Sequence, residues 1–274
     1  MLRKFIKRQF HLAYYALSRL RQKARLRRYI PCEVQHVYAG VPLKILLSDP
    51  TAEAWYHSDR SELPEIAKLR QHRLKPGARV FDLGAYQGLV ALMLAGVVGP
   101  HGSVVAVEAE PRNAHLAERS RKLNGIQQQR IIHSAVAEQS GSLPRRKEFD
   151  RSETDRYMDW GHLGVPAVSL DDLTTRFGPP EVVFMDVDGF ECQALRGGRQ
   201  TLARDCDWFV EVHVGKGLEK EGGRLQNSFL SSHPERFECW IASETRRQFM
   251  PFDTSCPLLK ERFFMVAIKQ NPKQ

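Results

Sequence analysis

Residues 80–88 of this chain, with the sequence VFDLGAYQG, contain the residue types from which a ligand-binding turn is built. They predict a buried strand that ends in a glycine turn and leads into a helix. Gly84 and Gly88 allow backbone torsions that a side chain forbids, and they let a ligand lie against the main chain and the free N–H groups of that helix. Asp82 is placed at the carboxyl end of the strand, where open parallel sheets bind their ligands.

The carboxylate of Asp82 distinguishes between two ligands that such turns bind. A carboxylate that points at a helix N-terminus is unfavourable where pyrophosphate must bind, whereas it is favourable beside the cationic sulfonium amino acid S-adenosylmethionine. The NAD fingerprint is GxGxxG without a preceding acid, and this chain has DxGxxxG instead. We therefore predict S-adenosylmethionine as the cofactor. Its predicted contacts in this segment are Asp82, Gly84, Ala85, Tyr86 and Gly88.

Further cofactor contacts are predicted after the next two apolar runs. Glu108 ends the run of residues 103–108, twenty residues after Gly88. An acid at this position can accept hydrogen bonds from both ribose hydroxyls, and the alternative is an exposed charge at a strand end. A third run leads into Ser134 and Ala135, which by location would contact the adenine ring, although an uninvolved turn explains them equally well.

Candidate catalytic residues follow two later apolar runs. The sequence VVFMDVDGFE of residues 182–191 turns acidic as its strand ends, and WFVEVH of residues 208–213 places Glu211 and His213 at the same sheet edge. A hydroxyl acceptor is a poor nucleophile at neutral pH, so a nearby general base is useful. Asp186 and His213 are our first candidates for this base.

Asp188 is a third candidate, but it has an alternative structural explanation. With Glu191 three residues later it has the spacing of a capping box for a helix that Gly197 and Gly198 would end. His213 could equally be a hydrogen-bonded structural histidine. No ligand spacing here is diagnostic of a metal, so none is predicted, although a cluster of four residues could bind a divalent cation that acidifies the hydroxyl. Those four are Asp186, Asp188, Glu211 and His213.

The elements between these segments alternate between strands and helices. Residues 33–48 predict a hairpin, residues 110–124 a helix, and the last two apolar runs a final pair of strands. This order describes a doubly wound α/β sheet. Residues 138–165 lose the pattern and contain Tyr157, Trp160 and His162, for which we favour a loop that covers the substrate.

The net charge of +9 is concentrated in residues 1–30, which carry ten Lys or Arg and no acid. Apolar residues recur there at spacings of three and four, which predicts a basic amphipathic helix. We expect an N-terminal arm of residues 1–30 and one domain of residues 31–274. The arm could contact an anionic membrane surface peripherally or pack on its own domain. Nucleic acid binding is disfavoured because the remaining chain has no basic surplus.

Composition and cysteine usage predict a cytoplasmic protein. A hydrophobic fraction of 42% with 27% charged residues is ordinary for a soluble protein, and no run is long enough to span a bilayer. The five cysteines are an odd number without a CxxC pair, which indicates reduced thiols and no zinc framework. The oligomeric state does not follow from the sequence.

Four motifs in order resemble the FkbM family of S-adenosylmethionine-dependent methyltransferases over roughly residues 33–268. They are DLGAYQG from residue 82, SLDDL from residue 169, VFMDVDGFE through LRGG from residue 183, and VEVH from residue 210. The resemblance implies a class I methyltransferase fold, a Rossmann-like doubly wound sheet of seven strands in the order 3-2-1-4-5-7-6. The last strand would be antiparallel, and the basic helix and the hairpin would be additions at the N-terminus.

The resemblance also implies an O-methyltransferase that acts on hydroxyls of sugars, glycans, glycolipids or natural products. Three residues depart from the family pattern, since Tyr86 stands where the family has Asn, Phe184 where it has Lys, and Asp188 where it has Glu. The missing lysine motivates one alternative, a non-enzymatic binding module that retains the fold. The other alternative is an NAD(P)-dependent oxidoreductase.

Overall fold

The structure is a computed structural model, and it describes residues 28–143, 164–214, 237–252 and 262–270. Most of the predicted basic helix, and Tyr157, Trp160 and His162 of the predicted covering loop, lie outside these ranges. Within them, no helix has the length and the hydrophobicity to span a bilayer.

Strands and helices alternate along the described chain. The strands are β1 (Cys32–Tyr38), β2 (Val41–Leu47), β3 (Arg79–Leu83), β4 (Ser103–Glu108), β5 (Gln129–His133), β6 (Ala135–Val136), β7 (Gly141–Leu143), β8 (Val165–Val168), β9 (Val182–Met185), β10 (Asp207–Val212), β11 (Phe237–Ser243), β12 (Met250–Pro251) and β13 (Phe263–Lys269). The helices are α1 (Pro50–Tyr56), α2 (Pro64–Arg70), α3 (Leu89–Val98), α4 (Pro111–Leu123), α5 (Leu170–Phe177), α6 (Glu191–Arg196) and α7 (Arg199–Ala203).

The main sheet has the strand order β5-β4-β3-β9-β10-β13-β11-β12 within the described residues. Strands β5, β4, β3, β9 and β10 pair in parallel, whereas β13 is antiparallel to both β10 and β11. The order 3-2-1-4-5-7-6 and the antiparallel last strand are therefore confirmed. The two-residue strand β12 adds an eighth strand at the edge, which the sequence did not predict.

A second, three-stranded sheet with the order β6-β8-β7 corrects the prediction that residues 138–165 lack regular structure. Strand β7 lies inside that stretch, and β8 begins at Val165. These strands are only three and four residues long. Such short strands contain too few residues to display a period of two, which is the signal that identifies strands in a sequence.

The main sheet lies between two apolar layers, and each strand sends alternate residues to opposite layers. The first layer contains the hairpin of β1 and β2, helix α3, and the sheet residues Val80, Ala106, Phe184, Phe209 and Val266. The second contains Leu170 and Leu195 from α5 and α6, and the sheet residues Phe81, Val107, Met185, Val210 and Ala267. Helix α3 is almost wholly apolar because its residues are buried nearly all round.

The predicted hairpin is present, and it leads directly into α1. Asp49 caps α1, because its side chain accepts hydrogen bonds from the N–H groups of Thr51 and Ala52. Ser169 caps α5 by accepting from the N–H of Asp172. The hairpin and α1 thereby cover the first layer at the carboxyl end of the sheet.

Candidate active site

Four carboxylates at the carboxyl edge of the sheet share one face because of the period of two. Each follows by two positions a residue of the first apolar layer. The four are Asp82 after Val80, Glu108 after Ala106, Asp186 after Phe184, and Glu211 after Phe209. The strands that carry them are neighbours in the sheet, so the side chains lie along the same edge of it.

The glycine turn lies tightly against the end of strand β9. Gly84 has φ +90°, and the N–H groups of Gly84 and Ala85 donate to the carbonyl of Val107 at 2.8 and 3.0 Å. A Cβ on Gly84 would lie 1.8 Å from the carbonyl oxygen of Asp186. The turn therefore requires glycine at this position both for its torsion and for its contact with the backbone.

Gly84→Ala should lower the free energy of unfolding by about 2 kcal/mol more than Gly77→Ala does, because the new methyl group overlaps the carbonyl oxygen of Asp186, which cannot move without its strand. The matched control is Gly77→Ala, since Gly77 has φ +89° and open space around it. Both variants strain the torsion, and only the first adds the overlap. Chemical denaturation measures the difference, and equal free energies of unfolding for the two variants would contradict the packing described here.

Glu108 is fixed by two backbone donors. Its Oε2 accepts from the N–H of Tyr86 at 2.8 Å, and its Oε1 accepts from the N–H of Glu110 at 2.8 Å. Tyr86 presents its N–H because it adopts φ +49°, an uncommon torsion for a non-glycine residue. A carboxylate has about four acceptor positions, so Glu108 can still accept from a ligand's hydroxyls.

Asp82 and Glu108 are buried carboxylates, and the surrounding protein stabilises their ionised forms poorly. Asp82 is 3% exposed, and its Oδ2 has no hydrogen-bond partner among the described residues. Burial, with a smaller contribution from the charge of Asp186, raises the pKa of Asp82 to about 7. Burial likewise raises the pKa of Glu108 to about 8. A cationic ligand beside Asp82 would compensate this charge.

Tyr86 and Gln87 connect the glycine turn to the hairpin and α1. The Tyr86 hydroxyl donates to the Asp49 carboxylate at 2.9 and 3.0 Å to its two oxygens. The buried amide of Gln87 donates to Oδ2 of Asp49 at 2.6 Å and to Oγ of Ser48 at 3.0 Å. Tyr86 thus has a structural role that explains why it can stand in place of the family's Asn.

An aromatic group borders the carboxylates. The rings of Trp55 and Tyr56 each lie 6.0 Å from that of Tyr86, and Trp55 is 48% exposed. Burial raises the pKa of Tyr56, and four nearby carboxylates raise it further: Asp186, Asp82, Asp49 and Glu108. The α1 residue Tyr56 therefore lies among the predicted site residues, although the sequence did not identify it.

A second group of acids surrounds His213, which is 1% exposed. Its Nδ1 lies 2.7 Å from Oε1 of Glu191. Its Nε2 lies 3.2 Å from Asp188, 3.5 Å from Glu211 and 3.6 Å from Asp186. Burial lowers the pKa of His213, but the hydrogen bond to Glu191 and the surrounding negative charges outweigh burial and raise it.

The predicted capping box of Asp188 and Glu191 is wrong. Phe190 is the N-cap of α6, without a side-chain hydrogen bond, and Asp188 adopts the left-handed φ of +48°. Glu191 accepts from the N–H of Gly189 at 3.1 Å and is held by His213. Glu191 pairs with His213 and does not join a helix cap, because the pair joins a fully buried carboxylate to a ring that can carry positive charge.

Asp186 lies between the two groups of acids. Its N–H donates to the carbonyl of Leu83 at 2.8 Å, and its side chain is 42% exposed. Its pKa is raised, chiefly because surrounding protein atoms reduce its hydration, and His213 opposes this shift while Asp188 adds to it. Asp186 is therefore the most accessible acid of the His213 group.

Ser134 and Ala135 are buried next to Glu108. The N–H of Ser134 donates to the carbonyl of Glu108 at 2.9 Å, and its hydroxyl donates to the carbonyl of Pro166 at 2.9 Å. Ala135 belongs to strand β6 and pairs with β8. Ser134 and Ala135 therefore lie beside Glu108, and their contact with adenine stays a prediction.

Phe184 does not belong to the site. It is 4% exposed in the first apolar layer, and its ring stacks on that of Phe209 with 4.1 Å between centroids. The departure from the family's Lys is therefore a change in the core. The sequence suggested a non-enzymatic binding module only because this lysine is missing, and a change in the core does not support that alternative.

Comparison with known families gives two matches. The family model described as "Methyltransferase FkbM domain" matches residues 82–239, more than half of the chain. The model for protein-L-isoaspartate(D-aspartate) O-methyltransferase matches residues 16–142. No curated protein matches the chain.

Several solved structures resemble the fold at low identity. The methyltransferase FkbM of Methylobacillus flagellatus is 16% identical with a TM-score of 0.47, over 69% of this chain and 43% of that one. A SAM-dependent methyltransferase of Aquifex aeolicus is 15% identical with a TM-score of 0.44, over 81% and 93%. A SAM-dependent O-methyltransferase of Thermotoga maritima is 14% identical with a TM-score of 0.42, over 86% and 77%. This chain therefore matches less than half the length of the Methylobacillus protein.

Proposed function

Because this chain belongs to the FkbM methyltransferase family, we propose that it transfers a methyl group from S-adenosylmethionine to a hydroxyl of a sugar, a glycan, a glycolipid or a natural product. The observation that supports this most is the buried Asp82 carboxylate, whose Oδ2 lacks a partner in the described structure. It lies next to the glycine turn of residues 84–88. The residues present fit a ligand that combines a positive charge with a ribose.

Each part of the cofactor has a candidate partner. Asp82 would hold the cationic amino acid portion, because a buried carboxylate pairs best with a positive charge. Glu108 would accept from the ribose hydroxyls, and the turn from Gly84 to Gly88 would lie along the ligand's main axis. When bound, S-adenosylmethionine supplies an electrophilic methyl group on a positively charged sulfur.

The acids around His213 would handle the acceptor's proton. Asp186 is the accessible member, and its raised pKa makes it a better base than an ordinary aspartate. His213 is almost fully buried, so it would act through Asp186 and Asp188 by stabilising their orientation and charge. The protein's main contribution is to align the acceptor with the methyl group and to exclude water, for which the hairpin and α1 are placed.

An acceptor screen tests this proposal. The full chain is incubated with S-adenosylmethionine labelled in its methyl group and with sugars, glycolipids, phenolic natural products, peptides and amines. We expect label in an alkali-stable methyl ether. Label that alkali releases as a carboxyl ester, or label on nitrogen, would contradict hydroxyl methylation.

A further inference from the structure

We propose that Asp186, Glu211 and His213 form a binding site for a divalent transition-metal cation such as Mn²⁺, and that this cation binds the acceptor hydroxyl. The role assigned to the cation rests on the proposed function. The binding site itself does not, because it follows from the ligand atoms alone.

The three side chains have the arrangement of metal ligands. One ligand atom from each lies within 4.8 Å of the others. Nε2 of His213 lies 3.5 Å from Oε1 of Glu211 and 3.6 Å from Oδ1 of Asp186. With bonds of about 2.1 Å, adjacent ligand atoms of an octahedral cation are about 3 Å apart, so small side-chain movements suffice.

The hydrogen bond of His213 to Glu191 gives the second observation. Nδ1 lies 2.7 Å from Oε1 of Glu191. An ionised Glu191 can only accept, so Nδ1–H donates, and in the neutral ring the lone pair of Nε2 then faces the acids. Nε2 is buried and makes no hydrogen bond to another described residue. A carboxylate that orients a histidine in this way is the usual support of a metal-binding imidazole.

The charge of the cluster favours a cation. The carboxylates of Asp186, Glu191 and Glu211 surround one imidazole, and among the cations of the described chain Arg262 contacts Oε1 of Glu211. Arg262 also lies 3.6 Å from Glu244, outside the cluster. One guanidinium does not balance three carboxylates. A lone pair on Nε2 that faces carboxylate oxygens is repelled unless a proton or a metal cation lies between them.

The ligand types indicate which cation fits. A mixture of imidazole nitrogen and carboxylate oxygen suits Mn²⁺, Fe²⁺ or Zn²⁺, whereas Ca²⁺ and Mg²⁺ prefer oxygen ligands alone. Three protein ligands leave positions open for water or for an acceptor hydroxyl. We take Mn²⁺ as the probe because its binding can be followed directly by electron paramagnetic resonance.

The cation would lower the pKa of the acceptor hydroxyl. Because Asp186 would then be bound to the cation, the hydroxyl proton would pass to the Asp188 carboxylate instead, which lies 3.2 Å from Nε2 of His213, and from there to solvent. The acceptor oxygen would then bond to the methyl carbon as the carbon–sulfur bond breaks. S-adenosylhomocysteine would leave with the electron pair of that bond, and no oxidant or reductant is needed.

The test measures Mn²⁺ binding to the metal-free full chain, without cofactor or acceptor, from the loss of the resonance signal of aqueous Mn²⁺. We expect one site, with an affinity that Asp186→Asn lowers at least about tenfold. Asp186 is suitable because its half-exposed side chain can be changed with little risk to folding. His213→Gln should lower the affinity further, and a melting curve shows whether that variant folds.

The matched control is His57→Ala, which alters a different histidine cluster. His57 Nδ1 lies 2.9 Å from Nε2 of His36, whose Nδ1 lies 3.0 Å from Asp59. We expect this variant to bind Mn²⁺ like the wild type. Absence of Mn²⁺ binding, equal binding by Asp186→Asn, or loss of binding in His57→Ala would each overturn the proposed site.

Methyl transfer is then measured with and without a chelator. Transfer that the chelator abolishes and Mn²⁺ restores supports the cation's role, whereas undiminished transfer in the chelator overturns that role and leaves the methyltransferase proposal intact. Mn²⁺ binding that Asp186→Asn removes, with no methyl transfer to any acceptor, would confirm the site and contradict the proposed function.

Discussion

Asp82→Asn should weaken the binding of S-adenosylmethionine by about a hundredfold and at the same time stabilise the ligand-free protein. The affinity falls because the buried carboxylate is the proposed partner of the ligand's positive charge, and removing one member of such a pair costs about 3 kcal/mol. The stability rises because an uncompensated buried charge is replaced by a neutral amide. Calorimetric titration and chemical denaturation measure the two effects on the same samples.

The pH dependence of the wild type follows from the same carboxylate. Burial raises the pKa of Asp82 from the ordinary 3.8 to about 7, so between these values the folded protein binds more protons than the unfolded chain. The free energy of unfolding therefore falls as the pH rises through this range, by about 4 kcal/mol. Cofactor affinity changes in the opposite direction and increases up to about pH 7, because the ionised form binds the cation.

Glu65→Gln is the matched control for Asp82→Asn. Glu65 is also a buried carboxylate whose pKa is raised by burial, but it lies on α2 and not beside the glycine turn. We expect this variant to retain cofactor affinity. Equal losses of affinity in the two variants, or no loss in Asp82→Asn, would show that Asp82 is not the partner of the positive charge.

Asp186→Asn should lower the rate of methyl transfer by about a hundredfold or more, while cofactor affinity changes by less than about tenfold. An amide of the same shape can neither accept a proton nor bind a cation as strongly as a carboxylate, and general-base or metal assistance contributes roughly that factor. The measurement is the single-turnover rate with saturating cofactor, together with a separate titration of the cofactor.

Asp205→Asn provides the comparison for this second variant. Asp205 is exposed and precedes β10, at the opposite edge of the sheet from Asp186. We expect its transfer rate to equal that of the wild type. If Asp186→Asn retained the full rate, the acids around His213 would have no part in the chemistry.

The period of two explains why so much of the site could be predicted. The nearly continuous apolar residues of β3, β4, β9 and β10 face the two apolar layers in turn, and the acid near the end of each run continues the face of the first layer. The positions of Asp82, Glu108, Asp186 and Glu211 therefore follow from local sequence. The strand order followed from the family resemblance.

Contacts between distant segments could not be predicted in this way. Glu191 and His213 lie on different elements, and the spacing of Asp188 to Glu191 indicated a local cap that the structure replaces with a long-range pair. Asp49 has the sequence context of a helix cap, which it is, and nothing local indicates that it also accepts from Tyr86 and Gln87.

The most direct test of the central claim is a calorimetric titration of the full chain, first with S-adenosylmethionine and then, on fresh protein, with NAD. The buried acids at the ends of β3 and β4 predict saturable binding of S-adenosylmethionine at one site and no heat of binding with NAD. Saturable NAD binding, together with no response to S-adenosylmethionine, would contradict the account.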